Sequence, residues 1–268
     1  MKTDLTATRV IPILGDPVAQ VATPRLWNAV FSDAGTDAVC VPIDLPSQGL
    51  GAFVDWVRMA RNVPGFLTTI PHKAALAGAC DRVEPDARIL GVVNTIRRDA
   101  DGMLVGEMFD GFGMMDAIEA TGTVVSGAQI AICGAGAAGG AIAIQAIRRG
   151  AKVLHITDMA PARAADLIAR LSVVGQTELH VGIPQVADIV INASPAGSPG
   201  EAPPAFPAAL TDGATCVADA LTDPAETALI AAARAGGLRV VTGTDMAAHQ
   251  AARMRAFLGL QEAVAGPR

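Results

Sequence analysis

The chain has 268 residues, 51% hydrophobic and 17% charged, which is enough apolar material for one large domain or two ordinary ones. A formal net charge of −6, with no basic cluster interleaved with aromatics, excludes a nucleic-acid-binding role. The four cysteines (Cys40, Cys80, Cys133, Cys216) lack C-x-x-C or zinc spacing, so reduced buried thiols are expected and no metal site is.

In chain order, Val10 to Leu14 predicts a short buried strand ended by Gly15-Asp16-Pro17. Thr23 is placed as a helix N-cap with Pro24 at the first helical position, and Leu26, Trp27, Val30 and Phe31 recur at helical spacing toward a core. Ala38 to Ile43 predicts a second strand. An amphipathic helix carrying Leu50, Phe53, Val54, Trp56, Val57 and Met59 follows it. Val63 to Thr69 predicts a third strand, broken by Pro71, with helices starting near Lys73 and spanning Pro85 to Leu90. Val92 to Arg97 and Leu104 to Phe109 pair around the turn Asp101-Gly102. Alternating strands and helices of this kind imply a mostly parallel sheet with covered faces.

From Gly111 the pattern becomes a cleaner doubly wound run. A helix at Gly113 to Ala120 precedes the strand Ile130 to Ile132, the turn Gly134-Ala135-Gly136-Ala137-Ala138-Gly139 and an Ala/Ile-rich helix through Ile147. Further strands are expected at Lys152 to Thr157, Glu178 to Val181, Asp188 to Asn192, Thr215 to Ala218 and Leu238 to Val241. Helices fall at Ala160 to Leu171, Ala225 to Ala235 and Asp245 to Leu258, and the span Pro195 to Pro207 reads as a long loop near a ligand crevice.

The glycine turn is G-x-G-x-x-G with a strand before it and a helix after it. That context fits a dinucleotide site: the first glycine allows the tight turn, the second admits the pyrophosphate, and the third lets helix and strand pack closely. The helix N-terminus then offers N–H groups to the phosphates. Asp158, nineteen residues after Gly139, is placed to accept hydrogen bonds from an adenosine ribose, although it can equally cap the helix starting near Ala160.

Seven stretches in register resemble the shikimate/quinate dehydrogenase family over nearly the whole chain. They are Gly15 to Gln20, Gly65 to Lys73 (with Thr69-Ile70-Pro71-His72-Lys73), Gly91-Val92-Val93-Asn94-Thr95, Asp110-Gly111-Phe112-Gly113, the glycine turn, Ile191 to Pro195, and Gly243 to Met246 with Gln250. The resemblance implies a two-domain α/β protein. Residues 1–110 would form a substrate domain with the C-terminal helix (244–268) packed back onto it, and residues 111–243 a Rossmann-type nicotinamide-nucleotide domain.

The resemblance also implies roles. Lys73 matches the catalytic lysine and Asp110 its partner carboxylate, which together would hold and deprotonate a hydroxyl while hydride leaves for the nicotinamide. Val21, Thr23, Thr69, Asn94, Thr222 and Gln250 occupy substrate positions. The cofactor positions are Gly134, Ala135, Gly136, Ala137, Ala138 and Gly139, then Thr157, Asp158, Met159, Asn192, Ser194 and Gly243. Each has a plainer role beside it: a solvated lysine for Lys73, a helix cap for Asp110 and Thr23, a turn residue for Asn94, an exposed helix-face glutamine for Gln250. His72 looks like a spacer; His155, His180 and His249 carry no partner pattern.

The departures from the family pattern matter too. Val21 stands for one of two hydroxyl ligands of the substrate carboxylate and Thr222 for a tyrosine. Leu67, Met108 and Phe109 replace polar residues, so a less polar substrate than shikimate is expected. NADP-dependent relatives carry Asn-Arg-Thr where this chain has Thr157-Asp158-Met159, so NAD is expected to be preferred over NADP. The leading expectation is thus an NAD-dependent dehydrogenase of a ring secondary alcohol, shikimate, quinate or a relative. A methylene-folate-type dehydrogenase and a non-catalytic nucleotide-sensing protein stay open beside it. With no leader and no apolar run of spanning length, a soluble cytoplasmic protein is expected, binding a small molecule and neither nucleic acid nor membrane, as monomer or homodimer.

Overall fold

The computed structural model describes residues 7–260 except 20, 205, 208, 209 and 212. Gln20 of the first matched stretch, Ala205 of the expected loop and the outer ends of the expected domains (1–6 and 261–268) therefore lie outside the described residues. The chain divides into two compact units, one running up to Phe109 and resuming at Ala251, the other spanning Asp110–Gln250. No helix among the described residues is long and apolar enough to cross a membrane.

The first unit is built on β1 (Arg9–Gly15), α1 (Thr23–Asp33), β2 (Ala38–Asp44), α2 (Leu50–Met59), β3 (Gly65–Thr68), α3 (Lys73–Ala79), β4 (Arg82–Val83), α4 (Pro85–Leu90), β5 (Thr95–Arg98) and β6 (Leu104–Glu107). Its sheet has the order β2-β1-β3-β5-β6-β4. β1 pairs parallel with β2 and β3, but β3–β5 and β5–β6 are antiparallel. The expected mostly parallel sheet is therefore mixed in this unit, because β5 and β6 form a hairpin, and a hairpin can only pair antiparallel.

Burial follows the helical period more selectively than expected. α1 buries Trp27 and Phe31, rings 6.0 Å apart and edge-on, while Leu26 is exposed. α2 buries Leu50, Val54 and Val57, an i, i+4, i+7 stripe, and leaves Trp56 and Met59 in solvent. Edge strand β2 is held by the Asn28 amide, which donates to the Cys40 carbonyl (2.9 Å) and accepts from its N–H (2.7 Å). The two-residue β4 lies beside β6, too short to leave a periodic signal.

The second unit comprises α5 (Asp110–Ala120), β7 (Gln129–Cys133), α6 (Ala137–Arg148), β8 (Val153–Thr157), α7 (Pro161–Leu171), β9 (Glu178–Val181), β10 (Ile189–Asn192), β11 (Cys216–Asp219), α8 (Ala228–Ala235), β12 (Arg239–Val241) and α9 (Gly243–Phe257). The sheet is parallel throughout, in the order β12-β11-β10-β7-β8-β9. The chain builds outward from β7 on one side and then on the other. The end of β7 is therefore the point where strand order reverses, and it carries the glycine turn.

The unit boundary at Gln250 falls inside α9. Its C-terminal part, from Ala251, belongs with the first unit, where Phe257 meets Phe109 at 5.5 Å between centroids and the Arg97 guanidinium at 4.7 Å. α9 begins with a reciprocal cap: Thr242 donates its N–H to Asp245 Oδ2 (2.9 Å), and Asp245 N–H returns to the Thr242 hydroxyl (3.2 Å).

Candidate active site

In the first unit, the chain leaving β3 turns through Thr69, Ile70 and Pro71 to Lys73, the first residue of α3. The turn is pinned at three points. Thr69 N–H donates to the Leu14 carbonyl (2.9 Å) and His72 N–H to the Thr69 carbonyl (3.0 Å). The His72 ring, 1% exposed, lies 2.7 Å from the Leu45 carbonyl through Nε2. A carbonyl only accepts, so Nε2 carries the proton, and His72 is an anchor for the lysine turn rather than a spacer. Lys73 itself is half-buried, and its carbonyl accepts from Val93 N–H (3.1 Å), tying the start of α3 to the segment bearing Asn94.

Asn94 is 3% exposed and fixed on every side. Its N–H donates to the Glu107 carbonyl (3.0 Å) and its carbonyl accepts from Thr68 N–H (2.9 Å). Its Oδ1 accepts from Phe109 N–H (3.1 Å) and from the Thr95 hydroxyl (3.0 Å). Glu107, at the end of β6, accepts from Met108 N–H (2.7 Å), and burial with the nearby carboxylates of Asp86 and Glu84 pushes its carboxyl up to about 7.

Thr23 is not the cap of α1. The N-cap position falls on Ala22, and Thr23 is the first helical residue, with no hydrogen bond to its side chain among the described residues. Val21 is half-buried just before it. Leu67, Met108 and Phe109, expected to line a less polar pocket, are 1%, 3% and 7% exposed. Leu67 lies in β3, in register with Ile13 and Thr95, and Phe109 meets Phe257 edge-on, so both are core residues.

In the second unit Asp110 opens α5, three residues ahead of the expected start, and is 5% exposed. An acid in the first turn sits favourably at the positive end of the helix. Gly113, one turn on, has no room for a Cβ, which would stand 2.5 Å from the Met246 carbonyl and 2.7 Å from Gln250 Cβ. α5 and α9 therefore touch at backbone distance there. Gln250 is not an exposed helix-face glutamine: its Oε1 is buried and has no hydrogen-bond partner among the described residues. A buried acceptor without a donor costs about 1–3 kcal/mol, and a ligand hydroxyl would relieve that cost.

The glycine turn has the geometry its spacing implies. Gly134 has φ +106°, and a Cβ on it would stand 2.6 Å from the Ala193 carbonyl. A Cβ on Gly139 would collide with the Gly134 carbonyl. Gly136, the N-cap of α6, is open by contrast, with nothing nearer to a built Cβ than Arg163 Nη2 at 3.8 Å. No side chain caps this helix, so the first-turn N–H groups of Ala137 and Ala138 face a cradle that only a glycine leaves clear. The residues present fit a dinucleotide pyrophosphate.

Asp158 is arranged differently from the expectation. Its Oδ2 accepts from Ala135 N–H (2.8 Å) and its Oδ1 from Ala160 N–H (3.0 Å), with Arg163 Nη1 at 3.8 Å. Burial opposes its charge, but those N–H groups and Arg163 outweigh it and hold the carboxyl below the usual range. The carboxylate thus braces the glycine turn from within. Thr157 accepts Gly134 N–H at its carbonyl (2.8 Å), while Met159 is fully exposed at the strand end.

The Asn192 side chain is also spent internally. It gives Nδ2 to the Ala196 carbonyl (2.9 Å) and Asp219 Oδ1 (3.1 Å), and accepts the Ser194 hydroxyl at Oδ1 (2.7 Å). Asp219, fully buried, also takes Thr227 (2.8 Å) and Leu221 N–H (3.0 Å), and burial raises its pKa despite them. Asn192 therefore shapes the loop after β10, and the contacts left for a nucleotide there are those of the loop backbone. Gly243 opens α9, and Thr222 is exposed beyond β11. His155 and His180 stack on adjacent strands at 4.9 Å between centroids. Two residues were not singled out from sequence: Arg163, whose signal was a basic residue in the first turn after Asp158, and Glu107.

The family model described as "Shikimate dehydrogenase substrate binding domain" matches residues 13–96. A relative from Rubrobacter xylanophilus, "Shikimate dehydrogenase (NADP(+))", is 35% identical over 97% of this chain and 94% of its own. A shikimate 5-dehydrogenase from Listeria monocytogenes, solved with shikimate and NAD, superposes with TM-score 0.88 at 26% identity, covering 98% of this chain and 95% of its own. A quinate dehydrogenase from Corynebacterium glutamicum, solved with NAD, gives 0.85 at 30% identity, covering 95% of each chain. The expected preference for NAD is overturned by these relatives: that from Rubrobacter and others at 33–34% identity are named for NADP(+). The physical reason is local. Asp158, expected to accept from the ribose and repel a 2′-phosphate, has both oxygens on backbone N–H groups and Arg163 beside it.

Proposed function

The chain belongs to the shikimate dehydrogenase family and is an oxidoreductase acting on CH–OH, and we propose that it interconverts shikimate and its ring ketone with NADP. The observation that carries the substrate reading is the buried, unpartnered Oε1 of Gln250 on α9, against the helix that Asp110 opens. An acceptor of that kind calls for a hydroxyl donor, which a polyhydroxy ring supplies. Quinate is the second reading, favoured by the likeness to the Corynebacterium enzyme named for it.

When bound, the nicotinamide accepts or returns the hydride. The chain's own part is to bind, orient and move a proton. The glycine cradle and the first turn of α6 hold the pyrophosphate, and Arg163 offers a cation for the 2′-phosphate. Lys73 holds the reacting hydroxyl and takes part in moving its proton, with Asp110 as the partner carboxylate. Asn94, fixed through Oδ1 to Phe109 N–H and the Thr95 hydroxyl, meets a ring hydroxyl of the substrate. Thr23, its hydroxyl not spent on a cap, takes the ring carboxylate in this reading.

Absorbance of the reduced nicotinamide, followed with NADP and NAD against shikimate, quinate, other cyclic hydroxy acids and a methylene-folate, tests this. Turnover of shikimate with NADP as the better cofactor is expected. Dinucleotide binding without turnover of any of these acids would overturn the reading in favour of a sensing protein, and oxidation of methylene-folate would overturn it in favour of the folate-type reaction.

A further inference from the structure

The Glu107 carboxylate takes no part in this chemistry, yet it lies three residues before Asp110. β6 ends at Glu107, and Met108 and Phe109 then carry the chain to α5 outside any strand. Both of their N–H groups are nevertheless taken by side chains. Met108 N–H donates to Glu107 Oε1 at 2.7 Å, and Phe109 N–H to Asn94 Oδ1 at 3.1 Å. The two acceptor residues are themselves joined, since Asn94 N–H donates to the Glu107 carbonyl at 3.0 Å. A carboxylate and an amide thus fix the two peptide units before Asp110, and the amide belongs to the asparagine assigned to substrate. Resting on the dehydrogenase reading above, we propose that Glu107 is a positioning residue: through Met108 N–H, and the link it shares with Asn94, its carboxylate sets the placement of Asp110 and of the Asn94 amide.

The surroundings make this hold dependent on pH. The charged groups facing Glu107 are Asp86 of α4 and Glu84 at its N-cap, both carboxylates. From β4, Arg82 reaches Glu84 (3.4 Å). β5 opposes Glu107 with neutral Thr95, its Arg97 bound to Asp99 (2.7 Å) and its Arg98 to the Arg58 carbonyl (2.9 Å). Burial first, then the two like charges, place the carboxyl at about 7, against the pull of Met108 N–H. Above that value the ionised oxygen makes a charge-assisted hydrogen bond to Met108; below it the neutral acid makes a weaker one. Turnover should therefore rise with pH through about 7 as the segment before Asp110 tightens.

Two measurements test the inference. The first is a carboxyl and amide NMR titration of the unmodified protein. The second is the pH profile of kcat and KM for that protein, Glu107→Gln and Glu107→Ala. The Glu107 carboxyl should titrate near neutral pH, and the amide shifts of Met108, Phe109 and Asp110 should follow the same curve. The unmodified protein should lose kcat several-fold on the acid side with little change in KM. Glu107→Gln, which keeps an acceptor of the same shape, should lose that inflection, and Glu107→Ala should lower kcat at every pH. A Glu107 titration that leaves those three amides unmoved would overturn the proposal, as would a Gln variant whose kcat profile superimposes on the parent's. Amides that follow Glu107 in a protein turning over none of the tested acids would leave the positioning role standing and refute the dehydrogenase reading alone.

Discussion

Replacing Gln250 with methionine should move stability and catalysis in opposite directions. Oε1 of Gln250 is buried without a donor, so the ligand-free protein carries a desolvated acceptor. Such a group costs about 1–3 kcal/mol, and methionine has nearly the same length, volume and helix propensity without the oxygen. Cβ lies against Gly113, and an unbranched replacement preserves that contact. Gln250→Met should therefore raise the melting temperature of the free protein by about 2–4 °C for each kcal/mol recovered. A substrate hydroxyl that loses its acceptor is left unpaired, at about the same 1–3 kcal/mol, which is a fall of about 5- to 150-fold in kcat/KM. Thermal melts of the free protein and initial rates with shikimate read the two effects separately. A variant that is destabilised yet keeps its kcat/KM would refute the argument, since the oxygen would then have a structural partner and no substrate.

Lys73→Ala should lower turnover by about 10²- to 10⁴-fold while dinucleotide binding persists, checked by single-turnover rates and by titration with NADP; near-normal turnover would remove the lysine from proton handling. Arg163→Ala should raise the KM for NADP about tenfold or more and leave that for NAD within twofold, since only the former carries a 2′-phosphate to pair with a guanidinium; equal effects on both would assign the arginine to bracing Asp158. Glu107→Gln should stabilise the fold in a pH-dependent way, measured by urea unfolding at pH 5 and pH 8. The Glu107 carboxyl sits at about 7 folded against 4.5 ordinarily, so its contribution is fully present below 4.5 and lost as pH rises through 7. At about 1.4 kcal/mol per unit the gain is at most about 3 kcal/mol at pH 8 and small at pH 5; the same gain at both pH values would refute the buried-charge account.

What was legible in the sequence was whatever repeats or fixes a backbone. The glycine turn, the strands of the second unit and the helix after the turn were all marked, because φ > 0, close packing and apolar periodicity each demand particular residues. The start of α5 was not, since Asp110-Gly111-Phe112-Gly113 has the composition of a turn. Those positions are glycine because neighbouring backbone stands where a Cβ would be, a reason that lies in packing and leaves no local signal for a helix. Nor was the burial of Gln250 legible, because one side chain on a weakly amphipathic helix says nothing of which neighbour covers it. Asp158 shows the reverse failure. Its offset from Gly139 was read as placing it against an adenosine ribose or as capping the next helix; Oδ1 does take Ala160 N–H, but Oδ2 reaches Ala135 N–H in the turn itself.

The substrate argument changes most once burial is known. Five departures from the family pattern pointed to a less polar ligand, yet Leu67, Met108 and Phe109 are among the buried core of the first unit. Phe109 is enclosed by Phe257, which is itself covered by Arg97. An apolar residue whose surface is already satisfied by core neighbours exerts no preference on a ligand, so these three exchanges are a repacking of the domain interior. Of the five, only Val21 and Thr222 lie outside the buried residues. Against them stand Thr23, whose hydroxyl is not used as a helix cap, and the buried acceptor of Gln250. An apolar pocket would gain nothing from an unpaired amide oxygen, and would carry its desolvation cost in every state. The buried amide oxygen therefore argues for a hydroxylated ring acid over the less polar substrate that the residue types suggested.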